Sequence, residues 1–252
     1  MSSEPIVLYD IPGSEYACMS WSPNVWRSRY VLNYKGLKYR TEWTEYPDIE
    51  DLCKKIGAPP TDKKRDGRDH YTLPVIYDPN TKSVVADSDE IVKYLEKTYP
   101  NTPKLFPEGT SALQHAFHQL VRPTVMNPIL HIVVARVWKL LRPKSQEYFR
   151  ETREVSFGKR LEEIGSEDDW KTLESGLERV KNCLDTNGEG KNLLLMGDRI
   201  TWADFLLASV LIWLRVAAGE GSEDWRRLVS LHGGRWAEFM EQFAKYEFID
   251  IN

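Results

Sequence analysis

Cysteine is scarce in this chain of 252 residues: there are three, at positions 18, 53 and 183. Their odd number and wide spacing exclude a paired disulfide framework and a zinc pattern, and suit a reducing compartment. Long apolar runs are missing too. None approaches the roughly 20 consecutive residues a membrane-crossing helix needs. The opening stretch MSSEPIVLYD has neither a charged n-region nor an extended apolar core, so no secretory signal is read there and a cytoplasmic setting is expected. There is no Lys/Arg stripe interleaved with aromatics, and the net charge is −4, which argues against nucleic acid as a partner. Internal repeats and low-complexity tracts are absent. What remains is an ordinary soluble balance, 41% hydrophobic and 29% charged, in a chain long enough for one large domain or two modest ones. Nine tryptophans are many for this length; some serve the core, and the rest raise the expectation of an aromatic-lined pocket.

The two halves follow different periodicities. Residues 6–11 read as a buried strand. Residues 23–34 read as a helix, with Ser22 at the N-cap, Pro23 at the first helical position and Gly36 past the end. Alternation predicts a strand over 39–43. A short helix over 48–56 is stopped by Gly57 and Pro59-Pro60, and the polar stretch 61–70 reads as loop. Strands follow at 73–77 and 83–86, then a helix at 88–98. The order β-α-β-α-β-β-α within about a hundred residues predicts an α/β layer. Pro100, Pro103 and Pro107 mark a linker, and from residue 111 only helical periodicity is found. Helices are expected at 111–142 (kinked or split at Pro123 and Pro128), 144–163, 168–185, 202–218 and 234–246. The predicted domains are therefore 1–99 and 111–252, joined by 100–110.

Three short segments carry chemistry. Ser22 stands where the first strand turns into the first helix, beside free backbone N–H groups at the positive end of the helix dipole, a good place for an anion. The plain alternative is that Ser22-Pro23 only starts a helix. Leu73-Pro74 puts a proline just inside a strand. A cis bond there turns the N–H and C=O of Leu73 outward toward an extended peptide; an ordinary edge-strand proline is the alternative. Asp87 with Glu90 has capping-box spacing. Beyond capping, Asp87 can pair with an ammonium group, while Ser88 and the helix start take a carboxylate. Together the three features suit a short extended peptide with a zwitterionic head.

Ser-Pro-Asn-Val-Trp-Arg at 22–27, Leu-Pro-Val-Ile at 73–76, Ala-Asp-Ser at 86–88 with a following Tyr-Leu, and Tyr-Pro-x-x-Pro-x-Leu-Phe at 99–106 resemble cytosolic glutathione transferases. The resemblance is to the serine-type, etherase-related branch: the fungal FuA class and the bacterial lignin β-aryl etherases. It is strong over 1–106 and weaker over 107–252, where Ile200-Thr201-Trp202-Ala203-Asp204 is similar to the family's N-capping box. It implies a thioredoxin-like N-terminal domain, an all-helical C-terminal domain that completes the acceptor pocket, and glutathione as cosubstrate. Ser22 would then activate the thiol, with the Asn24 N–H close by. Leu73 beside cis-Pro74 would pair with the cysteinyl part, and Asp87 and Ser88 would hold the γ-glutamyl end. Many members carry Glu or Gln where this chain has Asp87, a shorter reach. No motif assigns the glycyl carboxylate; Arg68 and His70 lie in the right loop, which also reads as simply solvated. The family default is a homodimer.

Other candidates are weaker. Cys18 has no cap position and no nearby cation, and reads as a bystander thiol. His115 and His118 lack a suitably spaced carboxylate, so no metal is expected. Tyr16 and Trp21, in the loop beside Ser22, are read either as acceptor-pocket lining or as packing. The expected function is transfer of glutathione to apolar or aromatic electrophiles, wood-derived phenolics among the possibilities. The alternatives are a ligand carrier for polyphenols with little turnover, β-aryl ether cleavage, and a binding module without activity.

Overall fold

The computed structural model describes residues 4–15 and 18–250. They form two compact units. One takes the chain up to Lys104, together with Leu141–Phe149 and the residues from Tyr246 onward; the other takes Leu105–Leu140 and Arg150–Lys245.

The first unit is built on a four-stranded mixed sheet. Its strands are β1 (Ile6–Asp10), β2 (Tyr39–Trp43), β5 (Val75–Asp78) and β6 (Ser83–Ala86), in the order β2-β1-β5-β6. β1 runs parallel to β2 and antiparallel to β5, and β5 is antiparallel to β6. Ile6, Val7 and Leu8 are all buried because a central strand is covered on both faces. Helix α1 (Pro23–Tyr34) starts on a proline whose fixed φ suits the first turn, and the chain leaves it through Gly36 at φ 64. It packs on helix α3 (Ser88–Thr98). Trp26, Tyr30 and Leu32 of α1 and Ile91 and Leu95 of α3 are all buried. Helix α2 (Ile49–Ile56) is the short one stopped by Gly57. This is the thioredoxin-like arrangement.

Two details depart from the sequence reading. The stretch 61–70 contains a minimal hairpin, β3 (Asp62–Lys63) paired with β4 (Asp69–His70), rather than plain loop. Strand β5 begins at Val75, after Pro74, because a proline cannot donate to the ladder. At the far end of α1, the Lys35 side chain is 1% exposed and pairs with Glu96; its Nζ also donates to Thr102 Oγ1 at 3.0 Å and the Pro103 carbonyl at 2.9 Å.

The second unit is all helical. Helix α4 (Ser111–Val121) continues through a wider turn, Arg122–Met126, into α5 (Asn127–Leu140). The wider turn absorbs Pro123, which has no N–H for an ordinary helical bond. By length and composition this run could cross a membrane, yet Val125, Ile129, Val133 and Val134 are fully buried in the unit, as in a core helix. Helix α7 (Glu167–Asp185) crosses the wider turn at Gly176, where an added Cβ would lie 2.1 Å from the Thr124 carbonyl oxygen. Only glycine permits that approach. Helix α8 (Trp202–Ala218) is mostly apolar and buried along nearly its whole length. Its start is held by Asp204, whose Oδ2 accepts Thr201 N at 2.8 Å and Thr201 Oγ1 at 2.7 Å, while Oδ1 accepts Leu195 N at 2.8 Å. Gln114 adds a second clamp, accepting Ala203 N at 3.0 Å and donating to the Leu105 carbonyl at 3.0 Å. Helix α6 (Pro143–Phe157) precedes α7, and α9 (Glu223–Glu241) is broken at residues 231–234, where His232, Gly233 and Gly234 have positive φ. The sequence reading caught only the part of α9 beyond that break.

Candidate active site

The sheet register gathers the three chemistry-bearing segments. Tyr9 pairs with Val75, and Val75 pairs with Ala86. The described segments just beyond these residues, 11–15 with 18–22, 72–74 and 87–88, therefore leave the sheet at one edge.

Ser22 is the N-cap of α1, at φ −69 and ψ 121, and is buried. Its carbonyl accepts Trp26 N at 2.9 Å, but its hydroxyl makes no capping bond. That is unlike an ordinary serine cap, and it leaves the hydroxyl available. Asn24 is exposed at the second helical position, where a backbone N–H has no intrahelical acceptor.

The Leu73–Pro74 peptide is cis. Leu73 is buried as a side chain, while its backbone lies before the first ladder residue, Val75. The Pro74 carbonyl accepts Asp87 N at 3.2 Å, which fastens the second segment to the third.

Asp87 is the N-cap of α3. Its carboxylate accepts Asp89 N at 2.8 Å and Glu90 N at 3.4 Å, while its backbone sits at φ 76 and ψ 134. A non-glycine residue in that region costs on the order of 1–3 kcal/mol and is typically found where function requires it. Ser88 follows, buried, at the first position of the helix.

Around the loop, Trp21 is buried with its ring 6.2 Å from that of Tyr46, and Tyr46 stacks on Tyr148 at 5.7 Å and 16°. Phe149 closes on Tyr46 at 5.7 Å. The Trp21 Nε1–H has no hydrogen-bond partner among the described residues. Tyr16 lies outside the described residues. Sequence reasoning missed Tyr46 and Tyr148, which stand 25 and 127 positions from Trp21 (46 − 21 and 148 − 21) and share no local signal with it.

The remaining sequence candidates lie elsewhere. Arg68 is spent on Asp66, to which its Nε donates at 2.7 Å, in an exposed turn. Cys18 is buried with its Sγ 3.4 Å from the Glu15 carbonyl. Cys53 is buried, and burial pushes its thiol up to about 11. No group of three or more His, Cys, Asp or Glu among the described residues could hold a metal ion.

A sheet edge of this kind, followed by an all-helical unit, defines the glutathione S-transferase fold, and the family models agree. The glutathione S-transferase N-terminal domain matches residues 21–98 and the C-terminal domain matches residues 112–246. The chain belongs to the glutathione S-transferase family. Within it, the chain is similar to the crystal structure of glutathione transferase GSTFuA3 from Phanerochaete chrysosporium, with 72% identity and a TM-score of 0.98 over 99% of this chain and 100% of that one. That likeness agrees with the fungal FuA class. A glutathione S-transferase of Ceriporiopsis subvermispora, solved in complex with glutathione, is 39% identical with a TM-score of 0.93, covering 99% of this chain and all of that one. The glutathione S-transferase-like protein ustS of Aspergillus flavus is 32% identical over 92% of this chain and 87% of its own length.

Proposed function

We propose that this chain binds glutathione along the sheet edge, ionises its thiol at Ser22 and directs the sulfur onto an apolar, aromatic electrophile. One observation carries the reading: a buried serine hydroxyl with no capping bond stands at a helix start, on the same edge as Leu73-Pro74 and the positive-φ Asp87. The glutathione held by the Ceriporiopsis relative supports the ligand. On this reading residues 1–99 hold the tripeptide. The free backbone of Leu73 pairs with its cysteinyl part beside Pro74, and Asp87 and Ser88 take the γ-glutamyl ammonium and carboxylate. Trp21 faces the electrophile, which is supported by its unpartnered N–H and the neighbouring ring of Tyr46. A homodimer in a reducing, cytoplasmic setting belongs to the same proposal and suits the free cysteines.

The physics is that of anion stabilisation. A free thiol with a pKa near 8.5 is only about 3% ionised at neutral pH. Serine is too weak a base to take the proton, but its hydroxyl donates to the thiolate, and the Asn24 N–H adds to it. Lowering the thiol by about 2 units needs roughly 2.7 kcal/mol. A hydrogen bond to a charged group supplies about 1.5–3 kcal/mol and a helix start about 0.3–1 kcal/mol, so the two suffice. The thiolate fraction then rises about 25-fold, and holding the electrophile close supplies the rest of the acceleration.

The test is Ser22→Ala. Glutathione should still bind while the pH midpoint of conjugation rises by about 1–2 units; an unmoved profile would take Ser22 out of the mechanism. The unsubstituted protein should turn over an activated aryl halide, and an aryl ether assay tells conjugation from ether cleavage. Tight phenolic binding with negligible turnover would instead make the chain a carrier.

A further inference from the structure

Ser20 lies two residues before Ser22 and is fixed on three sides. Its hydroxyl donates to Asp10 Oδ2 at 2.8 Å, its carbonyl accepts Trp26 Nε1 at 2.9 Å, and its backbone bridges to Pro12. Asp10 accepts Ile11 N at 2.7 Å and Arg29 Nη2 at 2.8 Å. Arg29 Nη1 reaches Thr41 Oγ1 at 3.1 Å and the Tyr39 hydroxyl at 3.2 Å. The Tyr39 hydroxyl in turn donates to the Phe248 carbonyl at 3.0 Å. The stretch around Phe248 is strapped to α1 as well: Asn33 Nδ2 donates to the Tyr246 and Phe248 carbonyls at 2.7 and 2.9 Å, and the Tyr30 hydroxyl donates to Glu247. One hydrogen-bonded chain therefore runs from the strap, through the sheet, to the loop that ends in Ser22. Two of its members, Trp26 and Arg29, stand on the same helix whose first turn follows that loop.

Both side chains of the Asp10–Arg29 pair are fully buried. Burial pushes the Asp10 carboxyl up, against the pull of Arg29 and the bonds from Ser20 and Ile11. A buried pair of this kind rarely outperforms apolar packing in stability; what it supplies is fixed geometry. Geometry is what a single donor to a thiolate needs, since a site loosened by about half an ångström loses much of its effect. We infer that the buried chain Phe248–Tyr39–Arg29–Asp10–Ser20 holds the Ser22 hydroxyl in place, so that Ser20, Asp10 and Tyr39 are positioning residues and the strap Tyr246–Phe248 is part of the thiol site. This rests on the role proposed for Ser22.

Ser20→Ala and Tyr39→Phe each remove one oxygen from that chain. The measurement is the pKa of enzyme-bound glutathione, followed by thiolate absorbance, with S-methylglutathione binding and a thermal melt alongside. Both variants should raise the bound thiol by about 0.5–1 unit. Affinity for S-methylglutathione, which has no thiol to ionise, should stay within about twofold, less than 0.5 kcal/mol. Gln114→Ala, which weakens the helical unit, should lower the melt and leave the thiol unmoved. A lowered melt with an unmoved thiol in Ser20→Ala and Tyr39→Phe overturns the inference. Ser22→Ala run in parallel separates the two failures. If it raises the thiol pKa and the other two do not, only the positioning role falls; if it leaves the thiol unmoved, the role of Ser22 falls and the positioning role with it.

Discussion

The Pro74 carbonyl accepts the backbone N–H of Asp87 at 3.2 Å. That bond ties the entry of β5 to the start of α3 and holds Asp87 at a φ of 76. The strain at Asp87 and the cap it provides act in opposite directions, and substitution separates them.

Asp87→Gly relieves the backbone but deletes the cap, so its stability should stay within about 1 kcal/mol of the parent. Asp87→Ala deletes the cap and keeps the strain, and should lose about 1–2 kcal/mol. Urea melts check the order: an alanine variant as stable as the glycine variant would mean that the backbone is relaxed at this position. Both variants should bind glutathione more weakly if Asp87 takes the ammonium group.

Ser22→Cys should create a thiol of lowered pKa, because the position begins a helix. The expected outcome is attack of that thiolate on a glutathione mixed disulfide, releasing the other thiol. If the thiol introduced by Ser22→Cys alkylates no faster than an ordinary thiol at neutral pH, the helix start does not act on the side chain.

Gly176→Ala forces a methyl group to within 2.1 Å of the Thr124 carbonyl oxygen. The backbone there has to shift, at a cost of about 1–3 kcal/mol. The loss should appear as a lower melting temperature with conjugation kinetics intact at low temperature, and an unchanged melt would contradict the close crossing of α7.

Asp204 gives a pH signature. Burial is its largest influence and pushes its carboxyl up to about 6, despite bonds from Leu195 and Thr201. The folded chain thus holds this proton more tightly than the unfolded one. The contribution is fully present below about pH 4 and is lost as pH rises through about 6, a swing of roughly 3 kcal/mol. Urea melts of the parent and Asp204→Asn across that window should therefore show the parent's advantage shrinking as pH rises. A constant difference would mean that the carboxyl does not titrate there.

Local chemistry was legible in the sequence and distant pairing was not. Helix α1 was bounded correctly because Pro23 and Gly36 act within their own turns. At Leu73–Pro74 the local sequence leaves a cis bond and an ordinary edge-strand proline both open, and only the family resemblance implies the cis bond that is found. The β3–β4 hairpin was missed: its strands are two residues each and polar, with no alternation to read, and they are fastened by Lys63–Asp69 at 2.6 Å. The break in α9 follows from Gly233 and Gly234, yet the segment before it shows a sparse apolar face, Trp225 and Leu228. Asp10, Arg29 and Tyr39 drew no attention because each looks ordinary alone; only the sheet brings them under Ser20.

The sealed ammonium of Lys35 makes this protein its own opening gauge. Trypsin needs a lysine it can reach in an extended backbone, and this one is shut in by Glu96, Thr102 and Pro103. Cutting after Lys35 must wait for Glu96 and the segment around 99–103 to release it, whereas the exposed Lys63 can be cut without that motion. The ratio of the two cleavage rates thus reads how often that stretch comes loose in the native ensemble.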